Sequence, residues 1–480
     1  MKPIILFSVV FVILGTSGNG ADFPTNSAAN RVLLTEDFVS RGTSNGTNET
    51  TDVPSGIAID PETGKLFVAS IFDNRILRFA DIDSLNDGSP AEAVIGQTSF
   101  AGTGPATSQT RLSYPDGLCF DSSGNLWVAD TENHRVLRFP GAASVASGMA
   151  SANLVLGQET FDANVSGDGA DKMFEPTGVF IDGGGNLWVA DRRNDRVLKF
   201  LDASSLSNGD DADIVVGWPD FSTPSSGSEA NRFTRPVSVF VDGGDRLWVA
   251  DEINSRVLQF DGASTVTSSS SAVRVFGQDG FGTDSPGLAS DRMHYPNSIV
   301  VDANGHLYVT DNTNDRLLVF RNAAGKASGA PADRVLGAPN FTTNNPSSLT
   351  TSQTLSRPRG VTMDPDGNLW VVDYNRVLRY SSVPDAPQDA INPVLSLSKR
   401  PPKRTSKSAV KISGVASDAG GIKEVRYQVG KGALLPAAGT TSWSFKAKLQ
   451  KGKANTIQIY AEDFAGNRST ISTLRIKSTK

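Results

Sequence analysis

The chain has 480 residues, a single cysteine (Cys119) and a net charge of −6 at pH 7. One cysteine excludes an intramolecular disulfide framework, and the length exceeds that of one ordinary domain. Charge divides the chain: residues 391–480 contain 17 Lys+Arg and 4 Asp+Glu, a net +13, whereas the other residues contain 28 and 47, a net −19. The acidic part argues against nucleic-acid binding, which needs a basic face.

Residues 1–20 have the pattern of a secretory signal peptide. Lys2 precedes an apolar run at residues 4–14, and small residues follow up to Gly20, near which we expect cleavage. The run is too short for a comfortable membrane span, and no later stretch is apolar enough to form one. The sequence therefore predicts a secreted protein, periplasmic or extracellular, without a transmembrane segment.

A stretch of about 60 residues recurs six times along the chain. Each copy contains three short apolar runs separated by turn residues, and a fourth run precedes the next copy. This predicts units of four antiparallel strands, and the nearly continuous apolar runs indicate sheets covered on both faces, as in blades stacked around a ring. The copies open at Pro54, Pro115, Pro176, Pro236, Pro296 and Pro358, with spacings of 61, 61, 60, 60 and 62 residues.

Three features recur from copy to copy and are interpreted as scaffold. An aromatic side chain in the second run, such as Trp127, predicts packing between neighbouring blades. An Asp and an Arg five residues apart, such as Asp130 and Arg135, predict an exposed ion pair that closes the second hairpin and contributes only ~0.2–1 kcal/mol. Turns such as residues 121–125 resemble calcium loops only loosely, and we interpret them as tight hairpins.

These residues resemble the NHL repeat. Its pattern is Pro-x-Gly, then Asp-x-x-Gly-Asn, then Trp-Val-Ala-Asp-x-x-Asn-x-Arg-Val. The third copy shows it in Pro176, Gly178, Asp182, Gly185, Asn186, Trp188, Val189, Ala190, Asp191, Asn194, Arg196 and Val197. The resemblance covers residues 30–380 and implies an all-β fold, a six-bladed β-propeller with four-stranded blades.

The N-terminal segment is expected to complete the last blade. Residues 31–38 match the pattern of a fourth strand, with Phe38 in place, although no copy precedes them. The last copy, residues 358–380, contains three runs and no fourth. Pairing the N-terminal strand with residues 376–380 would close the ring and remove an open sheet edge that invites aggregation.

A linker is expected at residues 381–392, followed by a second domain at residues 393–480. About seven short strand-like runs predict a β-sandwich, and residues 461–467 resemble bacterial immunoglobulin-like modules. Its net charge of +13 suggests attachment to an anionic envelope polymer. Docking against the acidic propeller and an ordinary solvated surface remain the alternatives.

The residues beside the opening prolines differ between copies, and we expect a ligand site there, at the mouth of the propeller channel. Carboxylates and arginines occupy different copies, so the hypothetical ligand is polar: a protein, a peptide or an acidic saccharide. Arginine can bind a carboxylate in a fork, and tyrosine can stack on a sugar. A hydrated channel without a ligand is the alternative. The candidate residues are Tyr114, Asp116, Glu175, Arg235, His294, Tyr295, Asn297, Arg357 and Arg359.

Catalytic chemistry is less well supported by the sequence. Some relatives of this fold are lyases with a zinc ion held by three histidines, but His134, His294 and His306 are not expected to converge on one metal. Lactonase-like propellers hold a divalent ion through Glu, Asn and Asp, for which Asp116, Glu175 and Asn297 are candidates, and such oxygen ligands suit calcium. The sequence thus favours a secreted binding protein without catalytic residues, metal or cofactor, with the basic domain as anchor or spacer. The alternative is a calcium-type, metal-dependent lactonase or lyase.

Overall fold

The computed structural model describes residues 21–37, 47–49, 51–343, 350–384, 393–417, 422–463 and 468–479. The predicted signal peptide (1–20), Phe38, most of the predicted linker and much of the immunoglobulin-like motif at 461–467 lie outside these ranges. The chain divides into two compact units, Met1–Ser382 and Val383–Lys480.

The first unit is an all-β propeller of six antiparallel four-stranded sheets, as the repeats predicted. Each opening proline except Pro358 begins the innermost strand of its blade, and the chain then runs outward. Blades 1 to 3 comprise Pro54–Ile59, Lys65–Ser70, Arg75–Asp81 and Ala93–Ile95; Pro115–Phe120, Leu126–Asp130, Arg135–Phe139 and Leu154–Leu156; and Pro176–Ile181, Leu187–Asp191, Arg196–Phe200 and Ile214–Val216. Blades 4 to 6 comprise Pro236–Val241, Arg246–Asp251, Arg256–Asp261 and Arg274–Phe276; Pro296–Val301, Leu307–Asp311, Arg316–Phe320 and Arg334–Leu336; and Val361–Met363, Leu369–Asp373, Arg376–Tyr380 and the N-terminal Arg31–Leu33.

The N-terminal strand closes the ring, which confirms the sequence prediction. Arg31–Leu33 pairs antiparallel with Arg376–Tyr380, with Val32 opposite Leu378. The backbone N–H of Val32 also donates to Asp87 at 3.0 Å, which ties this strand to blade 1. Since the innermost strands of blades 6 and 1 are in contact, the ring is closed at its axis as well as at its rim.

The recurring aromatic side chains pack between blades, as predicted. Trp127 of blade 2 lies in one buried cluster with Val179 and Val189 of blade 3. Its indole Nε1–H donates to Asp121 Oδ2 at 2.9 Å. The other oxygen of Asp121 accepts the backbone N–H of Asn125 at 3.0 Å, so this turn carboxylate organises a hairpin. The same aromatic-to-Asp bond joins Trp188 to Asp182, Trp248 to Asp242, Tyr308 to Asp302 and Trp370 to Asp364.

Cys119 lies in the innermost strand of blade 2 and is 9% exposed. Burial raises the pKa of its thiol, because the thiolate would lose its hydration. Cys119 is therefore the small buried hydrophobe that its apolar context indicated, and it is not an activated nucleophile.

The second unit consists of two sheets. One contains Val394–Leu397, Ala409–Ser417 and Ser442–Lys448; the other contains Arg404–Thr405, Ser472–Ser478, Ala454–Asp463, Ile422–Val429 and Leu434–Pro436. Residues from both sheets, among them Ile412, Trp443 and Ile457, share one buried core. This is the arrangement of a β-sandwich, and the narrower resemblance to immunoglobulin-like modules stays a prediction.

The remaining regular elements are short. They are the strands Ala21–Asp22 and Val383–Pro384 and the 3-10 turns Thr131–Asn133, Arg192–Asn194, Asn312–Asn314 and Ala323–Gly325. Among the residues that the structure describes, no helix has the length and apolarity needed to cross a membrane.

Ring closure can be tested by weakening the N-terminal strand. Leu33 is fully buried between blades 6 and 1, so Leu33→Ala should lower the free energy of unfolding by about 2–5 kcal/mol. The exposed Thr25→Ala, just upstream, should change it by less than about 0.5 kcal/mol. Thermal unfolding of the mature chain measures both. Equal melting temperatures for Leu33→Ala and the unsubstituted chain would contradict the closure.

Candidate functional site

The six innermost strands surround a central channel with a volume of about 320 Å³. They approach one another closely where they enter it. A Cβ added to Gly117 would lie 2.2 Å from the carbonyl oxygen of Thr177, and one added to Gly360 would lie 2.1 Å from that of Ser55. The Gly of the Pro-x-Gly pattern therefore allows the close approach of neighbouring backbones at these positions. Ser238 and Ser298 occupy the equivalent position in blades 4 and 5.

The residue after each opening proline sits on a strand irregularity at the upper mouth of this channel. In blades 1 to 5 the pairing with the second strand shifts between the proline and the next paired residue, which marks a β-bulge. Bulges turn side chains away from the regular alternation and are frequent beside functional sites. The residues at this position are Ser55, Asp116, Thr177, Val237, Asn297 and Arg359.

Two of the nine predicted site residues, Asp116 and Asn297, line the channel itself. Asp116 accepts a hydrogen bond from the hydroxyl of Ser55 in the neighbouring blade. Asp116 belongs to blade 2 and Asn297 to blade 5, so they lie on opposite sides of the six-membered ring. The two candidate oxygen ligands therefore line the same channel from opposite sides.

Five other predicted residues directly precede or flank the prolines and form the rim above the channel. Tyr114, Glu175, Arg235, Tyr295 and Arg357 all have positive φ, between 48° and 56°. The equivalent residue of blade 1, Val53, has φ 51°. A non-glycine residue adopts this conformation only where its surroundings impose it.

A side chain of the preceding blade imposes this rim conformation in four cases. Asn74 Oδ1 accepts the backbone N–H of Tyr114 at 2.8 Å, and Asp195 Oδ1 accepts that of Arg235 at 2.6 Å. Asp315 does the same for Arg357 at 2.7 Å. In blade 2 the acceptor is His134 Nδ1, 3.2 Å from the N–H of Glu175. The rim is thus tied from blade to blade around the ring.

The recurring Asp and Arg that follow the second strand also hold the rim, and here the sequence prediction of an exposed pair was wrong. Asp130 and Arg135 are both 0% exposed, with Nε 2.7 Å from Oδ2. Asp130 Oδ1 accepts the backbone N–H of Ser113, two residues before the proline, at 2.6 Å. Its Oδ2 also accepts the side-chain N–H of Asn133 at 2.8 Å. The spacing predicted the pair but carried no information about the long loop that covers it.

That loop, residues 97–114, is fastened to the same arginine. Arg135 donates to the carbonyl oxygens of Ser108 at 2.8 Å and Arg111 at 3.2 Å. A further donor of Arg135 reaches the carbonyl of Phe161 in the next long loop. We call this unit of Asp, Asn and Arg the buried frame. Burial raises the pKa of the frame Asp in blades 2 to 5 and is opposed by the arginine and the N–H donors; for Asp251 burial raises the pKa to about 6.

Blades 1 and 6 build variants of the frame. In blade 1 a serine, Ser70, replaces the aspartate, and Asp73 supplies the carboxylate three residues later. Asp73 Oδ2 accepts the hydroxyl of Ser70 at 2.9 Å, the backbone N–H of Asp52 at 3.0 Å and Arg75 Nη2 at 3.1 Å. In blade 6 the shortened loop still places Arg376 2.6 Å from Asp373. A buried carboxylate therefore stands at all six positions.

Charges on the rim fall into two groups. Glu175 is bound by Arg193 at 2.8 Å and lies 3.5 Å from Arg192, which also pairs with Glu252 of blade 4 at 2.8 Å. The carboxylate of Glu175 is thus neutralised by two guanidinium groups. A cation at Glu175 would have to displace them, so the residue fits poorly as a calcium ligand.

The other group consists of arginines without partners. Within the described part of the chain, the side chains of Arg235, Arg357 and Arg359 form neither a hydrogen bond nor an ion pair within 4.0 Å. Arg357 is exposed, and Arg235 and Arg359 are partly exposed. Asp195 interacts electrostatically with Arg235, and Asp315 with Arg357, beyond contact distance. The hydrogen-bond donors of the three guanidinium groups are not occupied by a described residue, so they remain available to an anion from outside.

Aromatic side chains stand beside these arginines, and two of them were missed from the sequence. Tyr295 is 40% exposed, with its ring 4.7 Å from that of His294. Phe72 is 48% exposed and packs edge-on against Tyr114, with 5.4 Å between ring centres. Tyr374, in the short loop of blade 6, is 37% exposed. Phe72 and Tyr374 occupy loop positions where other blades carry Glu132, Arg193 or Thr313. The aromatic residue at this position was the feature of the sequence that could have identified them.

The three histidines remain apart, as expected. His134 holds the backbone of Glu175, His294 lies on the rim of blade 5, and His306 belongs to a hairpin turn at the other end of the strands, where its N–H donates to Asp302. No group of three or more His, Cys, Asp or Glu side chains that could hold a metal ion occurs in the ranges described.

A family model described as the NHL repeat matches residues 112–139 and 293–320. These segments cover the first three strands of blades 2 and 5, so the repeat is present in the chain. No curated protein sequence matches the chain.

Solved structures with propeller folds resemble it at low identity. The extracellular domain of a hybrid two-component system from B. thetaiotaomicron is 13% identical, with a TM-score of 0.47, covering 92% of this chain and 58% of that one. Virginiamycin B lyase from Staphylococcus aureus is 13% identical (TM-score 0.41; 71% and 98% covered), and a gluconolactonase from Xanthomonas campestris is 14% identical (TM-score 0.39; 73% and 97% covered). Such similarity assigns neither a substrate nor a partner to this chain.

The buried frame can be tested against a matched arginine in the same blade. Arg256 is fully buried against Asp251, and Arg256→Ala leaves that carboxylate buried and unpaired, which should cost about 3–5 kcal/mol of unfolding free energy. Arg246, paired with Asp242 on a hairpin turn, is 29% exposed, so Arg246→Ala should cost less than about 1 kcal/mol. Denaturant unfolding measures both. Similar losses for the two variants would show that the frame does not carry this stability.

Proposed function

We propose that this chain is a secreted binding protein that holds a carboxylate-bearing ligand, an acidic saccharide or a peptide, on the upper rim of its propeller. The observation that carries the proposal is a set of partially or fully exposed arginines whose side chains make no hydrogen bond or close ion pair with a described residue: Arg235, Arg357 and Arg359. Guanidinium groups bind carboxylates through two parallel, charge-assisted hydrogen bonds, which gives both affinity and orientation.

The two arginines of blade 6 start from a fixed backbone. The N–H of Arg357 is bound by Asp315, and the N–H of Arg359 donates to the carbonyl of Val372 at 2.9 Å. Less conformational freedom is lost on binding when the backbone beneath a contact is already fixed. This supports a ligand held chiefly beside blade 6.

The neighbouring tyrosines suit a ring-shaped ligand. Tyr295 belongs to blade 5 and Tyr374 to the loop of blade 6, so both lie in the blades that carry or adjoin Arg357 and Arg359. A tyrosine ring offers an apolar face and a polar tip, which matches the face and hydroxyls of a sugar. An acidic saccharide could therefore place its carboxylate on arginine and its ring on tyrosine.

Acidic residues occupy the opposite part of the rim. Asp116 and Glu175 belong to blades 2 and 3, three blades away from Asn297 and Arg359 respectively. A ligand that extends across the mouth would meet arginines at one end and, at the other, Asp116 and the ion pairs of Glu175 with Arg192 and Arg193. Polar groups of both kinds fix the direction in which such a ligand lies.

The second unit is proposed to act as an anchor or spacer, because its charge of +13 is opposite to that of the propeller. A calcium-type lactonase or lyase is less well supported. Glu175 is engaged by two arginines, and Asp116 and Asn297 lie across the ring from each other. A calcium ion at this set would lack the carboxylate of Glu175 unless both arginines were displaced.

Titration of the mature chain with trigalacturonate, by calorimetry, tests the proposal. Binding should weaken about tenfold to hundredfold in both Arg357→Ala and Arg359→Ala, because hydrogen bonds to charged groups contribute about 1.5–3 kcal/mol each. Arg246→Ala, which removes an equal charge at the opposite end of the strands, should bind as the unsubstituted chain does.

Two results would contradict the proposal. One is trigalacturonate binding that is unchanged in Arg235→Ala, Arg357→Ala and Arg359→Ala. The other is calcium-dependent hydrolysis of a lactone that is lost in Glu175→Gln, which would favour the enzymatic alternative.

A further inference from the structure

We propose that one end of the second unit is a docking surface for an anionic polysaccharide. This inference names the partner of the anchor role proposed above and does not depend on the ligand at the channel mouth. The surface, called the basic pole, consists of nine exposed cationic residues: Lys403, Arg404, Lys407, Lys411, Lys446, Lys448, Lys451, Lys453 and Lys477.

Backbone pairing gathers these residues from both sheets of the sandwich. Residues 403–408 run from one sheet to the other: the carbonyl of Lys403 accepts the N–H of Lys477 at 2.9 Å, and that of Ser408 accepts the N–H of Leu449 at 2.9 Å. The carbonyl of Lys453 accepts the N–H of Ser478 at 3.0 Å. Residues distant in sequence therefore meet at one end of the unit.

The strand register places like charges side by side. Lys411 is directly opposite Lys446 in an antiparallel pair, and Lys448 is opposite Ala409, one pair further on the same face. Arg404 lies alongside Lys477 in a parallel pair. Side chains of directly paired residues lie about 4.5–5.5 Å apart at Cβ, and like charges there destabilise a sheet. A bound polyanion would remove this repulsion.

No acidic residue in the described part of the unit neutralises the pole. Glu424 and Glu462 are paired with each other in register on two neighbouring strands, near the opposite end of the unit. Each already binds an arginine there: Glu424 binds Arg426 at 2.6 Å, and Glu462 binds Arg468 at 2.9 Å. The nine cations of the pole form no side-chain hydrogen bond or ion pair with any described residue.

The adjoining surface favours a polysaccharide over other polyanions. On the outer face of the three-stranded sheet, the Lys411–Lys446 pair is followed by Ser413 opposite Ser444, both partly exposed. Their hydroxyls can donate to and accept from sugar hydroxyls. The cations occupy both sheets, which in a sandwich lie about 10 Å apart, so several anionic groups along a chain are needed to engage them.

The test uses the full mature chain and immobilised polygalacturonate, with neutral dextran as the blank. The triple variant Lys411→Gln, Lys446→Gln, Lys448→Gln should bind at least about tenfold more weakly at low salt, with a shallower salt dependence, because fewer counterions are released. The control Arg426→Gln, Arg468→Gln removes two charges near the opposite end of the unit and should retain binding.

A second set of measurements separates this inference from the function proposed for the rim. The lysine triple variant should bind soluble trigalacturonate at the rim normally. In the Arg357→Ala background, where the rim contributes less to polymer binding, the three lysine substitutions should still weaken binding to the immobilised polymer by at least about tenfold. Replacing polygalacturonate by dextran sulfate shows whether the pole binds sulfate or carboxylate groups. Binding of the mature chain to either polymer supports the inference.

Three outcomes would overturn it. Equal loss of polymer binding in the lysine variant and its arginine control would mean general charge attraction without a site. Binding of double-stranded DNA in preference to both polysaccharides would assign the pole to another class of partner. Unchanged polymer binding with a larger radius of gyration in the lysine variant would assign the pole to the acidic propeller of the same chain.

Discussion

The upper face of this propeller depends on a carboxylate buried at the end of each second strand. In blade 3 Asp191 is 0% exposed and accepts three hydrogen bonds, from Arg196, Asn194 and the backbone N–H of Phe174. A buried charge is stable only when it is paired and its lone pairs are occupied, so these partners cannot move independently. The Asp consequently fixes the short loop, the long loop and the residues that precede the opening proline of its own blade.

This arrangement fixes the backbone conformation at the mouth independently of which side chains the rim carries. The frame holds the N–H two residues before each proline, and a side chain of the preceding blade holds the next N–H in four blades. The residue at that position can then be tyrosine, glutamate or arginine without altering the path of the chain. A ring with one backbone path and four residue types at its six rim positions can present an asymmetric set of groups to a ligand.

Periodicity alone predicted much of the fold. Six copies in register required the sheets to stack. The N-terminal strand, which no copy precedes, could pair only beside residues 376–380, where the last copy lacks a fourth strand. Burial could not be predicted in the same way. The five-residue spacing of Asp130 and Arg135 is compatible with an exposed or a buried pair, and only the long loop over it decides between them. Blade 1 shows a related limit, since Asp73 replaces the missing aspartate from a different position in the sequence.

The candidate site was predicted less completely than the fold, because loop side chains have no period that reveals their direction. Of the predicted positions beside the prolines, Asp116 and Asn297 line the channel, whereas the capture of Glu175 by Arg192 and Arg193 depends on loop geometry. Phe72 and Tyr374 were overlooked for the same reason. In the second unit, the composition predicted the excess of positive charge. Only the pairing register of the strands showed that the basic residues lie together at one end.

The central claim is that buried carboxylates hold the mouth rigidly although it is built from loops. Native-state hydrogen exchange of the backbone N–H groups of Ser113, Phe174, Thr234, His294 and Ser356 tests it most directly, since each donates to a frame Asp at 2.6–2.8 Å. The account predicts that these loop amides exchange as slowly as those of the second strands, through global unfolding. Exchange at the rate of exposed loop amides, such as those near residue 165, would contradict it.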